Sequence, residues 1–286
     1  MTAFGWKYLI TLCCSIGMIV ACAPAPLTAE NTVELHVVRG DSPSSLIGIS
    51  DVRPADAQAI FTGKLSPLVQ ASFWFANNSD RPVVAIATTW VVAKKDGSIR
   101  TERFTADSFL ITDARPVVEP HRRLLVAPRF WLKEESMGQY AASPNFARTQ
   151  GANLGRTLEE FAQAGVVRVE IDSVIFADGE VVGSNRTRFD SEITERKAAA
   201  ETVLAALDKA GPDADARRSA LLRIISERIA PSESSVVWQH RFAQQLLHSR
   251  NSAGTVDYLR RLPKPPSFHS NTNSSSTQIG LGGGGN

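Results

Sequence analysis

Apolar residues recur at two different spacings along this chain, and the change from one to the other divides it. From Val33 the period is two: Val33, Leu35 and Val37 alternate with polar neighbours, as on a strand with one buried face. Residues 68–76 read as a second strand with Phe73, Trp74 and Phe75 at its centre. A turn cluster at 77–80 leads into a long β-branched run at 82–94 that holds Val83, Val84, Ile86, Trp90, Val91 and Val92. Asp96-Gly97 predicts a hairpin returning through 98–105, because glycine accepts the positive φ that tight hairpin turns require. Residues 124–132 form another expected strand. The alternation is cleanest at 166–176, through Val167, Val169 and Ile171, and continues less strictly at Val174 and Phe176. Asp178-Gly179 predicts a second hairpin into Val181-Val182.

After Phe189 the spacing becomes 3.6. Asp190-Ser191 is the expected N-cap of a helix with Ala200, Val203, Leu204 and Leu207 on one face, and Gly211-Pro212 ends it. A second helix carries Leu221, Leu222, Ile225 and Ile229. Pro231-Ser232 restarts the chain into a third, with Trp238, Phe242 and Leu246, and a short fourth carries Val256 and Leu259 before Pro263. Between Lys133 and Val166 a long connection interrupts the strands. Within it Thr157-Leu158-Glu159-Glu160 is a capping box for a short helix containing Phe161 and Ala162, stopped by Gly165. From Pro263 the chain turns Pro-, Ser-, Asn- and Gly-rich, too poor in apolar surface to offset its ordering entropy.

The front of the chain does not fit either pattern. Lys7 is the one charge ahead of an uncharged apolar stretch at 8–20, shorter than the ~20 residues that span a bilayer and suited to a signal peptide. Ile19-Val20-Ala21-Cys22 at its end resembles the bacterial lipobox. That resemblance implies cleavage before Cys22 and a lipid on its thiol, with 1–21 a signal peptide and 22–32, beginning Ala23-Pro24-Ala25-Pro26 after the cysteine, a flexible tether. Ordinary cleavage after Ala25 or Ala29 would instead release a soluble periplasmic or secreted protein. All three cysteines, Cys13, Cys14 and Cys22, belong to this front, so the body has none for a disulfide framework, thiol redox chemistry or structural zinc.

Many short strands separated by turns, without alternating helices, favour an antiparallel sandwich over a parallel sheet. The segment SFWFANNSDRPVVAIATTWVV is similar to the paired strands of bacterial immunoglobulin-like domains, and VRVEIDSVIFADGEVVG resembles the terminal hairpin of exported bacterial proteins. The expected architecture is α+β: an antiparallel immunoglobulin-like β-sandwich over 33–189, a small α-helical C-terminal region over 190–262, and a disordered low-complexity tail over 263–286. The resemblance brings no catalytic residues with it.

Charge narrows the function classes. A formal net charge of +2 over 286 residues gives no concentrated cationic surface for nucleic acid. The motifs HExxH, G-x-S-x-G and G-x-x-x-x-G-K are absent. His240 and His248 share a helix about 12 Å apart along its axis, too far to chelate one ion, and read as polar-face residues. No catalytic, metal-binding or cofactor-binding residue is assigned, and no cofactor is expected. The best acidic group is Glu170, Asp172 and Asp178, with Glu170 and Asp172 expected on one side of a strand as solvent-face charges. Arg217, Arg218, Arg223 and Arg228 read as a solvated helix face, with contact to anionic lipid the alternative. Phe73, Trp74, Phe75, Trp90 and Trp131 read mainly as core. The expectation is a non-catalytic, membrane-anchored envelope module that binds another envelope protein or a cell-wall polymer. The rivals are a secreted glycan-acting hydrolase using acidic residues near Asp172 and Asp178, and a periplasmic carrier with an apolar groove.

Overall fold

The computed structural model describes residues 36–110, 115–141, 146–227, 234–249 and 251–270. The expected signal peptide at 1–21, Cys22 and the expected tether at 22–32 lie outside these residues, as do Arg228, Ile229, Pro231 and Ser232. The chain opens with β1 (His36–Arg39), β2 (Ile47–Asp51), helix α1 (Pro54–Ile60) and a 3-10 segment, Gly63–Leu68. Next come β3 (Phe73–Asn77), β4 (Val83–Lys94), β5 (Ile99–Asp107), β6 (Arg123–Ala127) and β7 (Phe130–Lys133). Helices α2 (Met137–Ala141), α3 (Phe146–Asn153) and α4 (Gly155–Ala162) precede β8 (Ala164–Phe176) and β9 (Glu180–Val182). Four helices follow: α5 (Phe189–Ala210), α6 (Ala214–Ser226), α7 (Ser234–His248) and α8 (Ser252–Arg260). Among the described residues the last strand is β10 (His269–Ser270). Among the described residues no helix is long and apolar enough to cross a membrane.

The strands form two sheets. One is antiparallel in the order β2-β3-β6-β7. The other runs β10-β9-β8-β4-β5, with β1 also beside β8; its β1–β8 and β10–β9 pairings are parallel and the rest antiparallel. The fold is thus α+β, but its helices are not confined to the C-terminal region. In the 133–165 connection, α3 and α4 bury Phe146, Leu158 and Phe161, with Leu154 between them, in the core shared by both sheets. There they join Phe73, Phe75, Trp90, Val126 and Val169. The indole of Trp90 donates to the Ala71 carbonyl at 3.0 Å, so its polar atom is satisfied inside.

Three local departures from the sequence pattern have plain causes. The expected strand at 68–76 begins only at Phe73, because the chain up to Leu68 is a 3-10 segment containing Pro67, which has no N–H for a ladder. The run 124–132 is a hairpin, β6 and β7, turned at Pro128-Arg129. Helix α5 starts at Phe189, not at Asp190-Ser191: the Asn185 side chain accepts from the Phe189 N–H at 3.0 Å and donates to Asp190 at 2.7 Å.

The less strict alternation in β8 is a bulge. Thr88 of β4 faces Ile171 and Ala87 faces Ser173, so Asp172 is an extra residue without a ladder partner. The frame shift keeps Val174 and Phe176 in the same core as Val167, Val169 and Ile171. A second bulge, at Val84 of β4, shifts the same pairing the other way between Phe176 and Ile175.

The second face of the β8 sheet is covered by α5, where Phe189 and Ile193 pack on Val84, Ala85, Ala87, Ile175 and Val181. Helices α5 to α8 enclose a separate core around Val203, Leu207, Leu221, Phe242, Leu246 and Leu259. Residues 263–270, the beginning of the expected tail, belong to this fold. Phe268 meets Phe109 edge-on at 6.3 Å between ring centres, and the His269 N–H donates to Gly179 O at 3.0 Å. Gly179 is needed there: its φ is +93°, and a Cβ would lie 2.4 Å from Ser267 O.

Candidate functional site

The pairing registers place three rows of side chains on the α5 side of the large sheet. His36, Val166, Ala93 and Ile99 form one row across β1, β8, β4 and β5; Val38, Arg168, Val91 and Thr101 form the next. Glu170, Thr89 and Arg103 form the third. Helix α5 starts beyond the third row, so the first two are uncovered. Val38 is 42% exposed, Val166 40% and Ile99 71%, against 0% for Ile175 under the helix. Half of one sheet face is therefore an open apolar floor. β-branched residues there suit a strand, and among the described residues no helix covers them on that side.

Charges ring the floor. Glu170 pairs with Arg168 at 2.6 Å and also with Arg186 of the β9–α5 loop. Arg103 meets Glu192 of α5 at 2.6 Å and lies 5.2 Å from the Phe189 ring centre. Beside this pair opens a cleft of ≈ 430 Å³, bounded by Arg103, Arg188, Glu192, Glu195, Trp238 and Arg241. Arg241 stands 4.7 Å from the Trp238 ring centre and Arg196 5.2 Å, cation–π contacts that fix the indole between helices.

Below the cleft a buried ion pair joins helix to sheet. Arg196 Nη2 lies 2.9 Å from Asp107 Oδ1, with side chains 3% and 1% exposed. Burial pushes the Asp107 carboxyl above the ordinary range despite the guanidinium beside it. Asp107 Oδ2 has no donor. The Tyr258 hydroxyl of α8 donates to Leu110 O at 3.0 Å, a further tie from the helical region to the end of β5.

The acidic residues singled out from the sequence have separate structural duties. Asp172 is buried rather than on the solvent face, since its bulge aims it at the β9–α5 loop. It accepts from Thr187 Oγ1 at 2.5 Å, Arg186 N at 2.8 Å, Ser184 Oγ at 2.9 Å and Thr187 N at 3.1 Å. Burial opposes its charge, yet these donors outweigh burial and hold its pKa below the ordinary carboxylate value. Asp178 sits in the β8–β9 turn, 2.7 Å from Arg81, and its pKa is likewise lowered, burial being outweighed by that arginine and the Glu180 N–H. Neither carboxyl has the raised pKa of a general acid.

Of the other candidates, His240 is buried and not on a polar face, its Nε2 without a partner, while His248 is bound to the Gln244 carbonyl. Arg217, Arg218 and Arg223 are exposed on α6. Phe73, Trp74, Phe75 and Trp90 are all buried; Trp74 donates to Asp56 at 3.2 Å beneath the Arg123 guanidinium. The open floor itself escaped sequence reasoning, although the run Val91, Ala93, Val166 was a visible signal for it. Comparison with family models, with characterised proteins and with solved structures finds none that matches this chain.

Proposed function

We propose that this protein is a non-catalytic, exported binding module, held at the cell envelope by lipid on Cys22, that engages a partner through the open half of its large sheet. The observation that carries the reading is the uncovered floor of Val38, Val91, Ala93, Ile99 and Val166 with its charged rim, the anatomy of an apolar interface centre surrounded by polar groups. An envelope protein suits this floor better than a cell-wall polymer, because the floor is built of aliphatic side chains and holds no Trp, Tyr or Phe ring to stack on a sugar. A hydrolase at Asp172 and Asp178 is disfavoured by two carboxylates already engaged as acceptors. An apolar carrier would need a hollow between sheet and helices, where Phe189 and Ile193 stand.

We also propose immunoglobulin-like ancestry for the β part. Its support is a central strand, β4, that carries a buried Trp and crosses from the sheet of β3 to the other sheet. One departure stands against it: β6 pairs with β3, where an immunoglobulin sheet sets the later strand of the two.

The test is site-specific photo-crosslinking in the native envelope. A crosslinker at Ile99 should capture one discrete species that a crosslinker at Arg218 on α6 does not; identical or empty patterns from both would refute the interface. Cys22→Ser should abolish lipid labelling and membrane retention, and an unchanged membrane fraction would sink the anchor.

A further inference from the structure

The opposite side of β5 carries a different arrangement. Arg100 and Glu102 alternate with Ile99 and Thr101 and so face away from the open floor, toward the β6–β7 turn and the helices α3 and α4. A cleft of ≈ 510 Å³ opens there, with Arg100, Arg129, Gln150, Asn153, Arg156 and Glu160 on its walls. That size suits a small molecule.

Two carboxylates hold the arginines in place, and both are buried: Glu102 is 6% exposed and Glu160 5%. Arg100 bridges them, with Nε 2.7 Å from Glu102 Oε1 and Nη1 2.5 Å from Glu160 Oε1. Arg129 Nη2 lies 2.5 Å from Glu102 Oε2, and Arg156 Nε 3.1 Å from Glu160 Oε1. Three guanidiniums thus meet two carboxylates, and one positive charge is left over. Yet the donors are unevenly spent, since Glu160 Oε1 faces two of them while Oε2 is buried with none. A buried anionic oxygen without a donor is costly, and unlike Asp107 Oδ2 this one belongs to a residue on the wall of a cleft.

The backbone at Arg129 points to the same place. Its φ is +74°, and it follows Pro128 in the β6–β7 turn, at the position where a turn of this kind takes Gly or Asn. An arginine held in the left-handed region is strained, and such strain concentrates where a side chain must be presented. What it presents is a guanidinium at the rim of the cleft, 46% exposed, opposite the 78% exposed Arg156.

We propose that this cleft binds a small carboxylate carrying a hydrogen-bond donor on the adjacent carbon, an α-amino or α-hydroxy acid. The ligand carboxylate sits between Arg129 and Arg156, whose planar forks match it. The donor pairs with Glu160 Oε2 after a small shift of that side chain, since the oxygen is closed to solvent in this arrangement. A bare anion would be repelled by that oxygen, and a bare cation by the three arginines; only a ligand with both groups satisfies the site. This inference is independent of the lipid anchor and of the open floor.

Alanine, lactate and propionate differ only at the α-substituent, and calorimetric titration of each into the full-length chain at low salt tests the idea. Alanine or lactate should bind about tenfold tighter than propionate, in keeping with one charge-assisted hydrogen bond. Preference for alanine identifies the amino-acid class, and preference for lactate the hydroxy-acid class. Glu160→Gln should erase that preference. Arg129→Gly, which the turn accepts without strain, should keep the melting temperature within a few degrees and weaken binding about tenfold or more. No binding by any probe, equal binding of all three, or an unaffected R129G variant would overturn the proposal.

Discussion

Asp172 and Asp107 are both buried aspartates of the large sheet, and their environments move them in opposite directions. Asp172 faces hydroxyls and N–H groups that outweigh its burial; Asp107 accepts from Arg196 and from the Leu110 and Phe109 N–H groups, but there burial wins. A carboxyl whose pKa is depressed in the folded state gives stability that is present above its unfolded pKa of about 3.9 and lost as pH falls through the folded value. Asp172→Asn should therefore destabilise the protein by about 2 kcal/mol at pH 7, the scale of charge-assisted hydrogen bonds. Urea unfolding should show the gap between wild type and variant narrowing below about pH 4. A gap that stays constant down to pH 2 would show that the Asp172 charge contributes nothing. The sequence marks Asp172 as one of a run of acids on a strand. It does not show the bulge, because a bulge is defined by the partner strand, and so it misplaces the side chain on the solvent face.

Legibility at the level of elements follows the number of faces that water touches. Helices α5, α6, α7 and α8 each bury one stripe and wet the other, which leaves a 3.6-residue rhythm in the sequence. The hairpin at Asp96-Gly97 and the one at Asp178-Gly179 are where the turn residues put them, with φ of +85° and +93° at the glycines. The stretch 65–75 has no such rhythm: Leu65, Leu68, Ala71, Phe73, Trp74 and Phe75 are all buried, so 3-10 segment and strand look alike. Helices α2 and α3 are too short to establish a period. Strand β10 was illegible for another reason, since composition at 263–270 speaks for disorder and only the Phe268 contact and the Gly179 edge hold it. Two truncations separate these elements. Ending the chain after Ser270 should leave the melting temperature unchanged. Ending it after Leu262 removes Phe268, worth about 1–2 kcal/mol of burial, and should lower the melting temperature by roughly 2–8 °C. Equal melting temperatures for both would show that β10 adds nothing to stability.

At the scale of the whole molecule, the C-terminal helices are tied to the large sheet by deep contacts, among them Phe189 and Ile193 of α5, the Arg196–Asp107 pair and the Tyr258 hydroxyl. The α+β class and the passage from β9 to α5 near residue 189 are legible because the spacing of apolar residues changes there. The parallel pairings of β1 and β10, and the exposure of half a sheet face, depend on which strands become neighbours, and no local pattern encodes that. The candidate cleft at Glu160 is likewise assembled from three places far apart in the chain: β5, the β6–β7 turn and the consecutive helices α3 and α4.

Two of the three bulges in the β4–β8 ladder, those at Val84 and Asp172, lend themselves to a different description, that of a vernier. Between Val84 and Asp172 the strands run one notch out of step, and each of these bulges cancels the other, so that Val83–Phe176 and the pairs from Thr88–Ile171 to Ala93–Val166 mesh as though neither existed; the third bulge, at Gly165, shifts only the last pair, Lys94–Ala164. Loss of either residue alone would carry the mismatch to one end and turn core positions outward. Loss of both would bring the teeth back into mesh, at the expense of the Asp172 anchor. Descendants of this sequence should thus gain or lose residues in these two strands in matched pairs. A library of single and paired deletions, sorted for folded protein, would show the pairing directly, and survival of the single deletions would refute it.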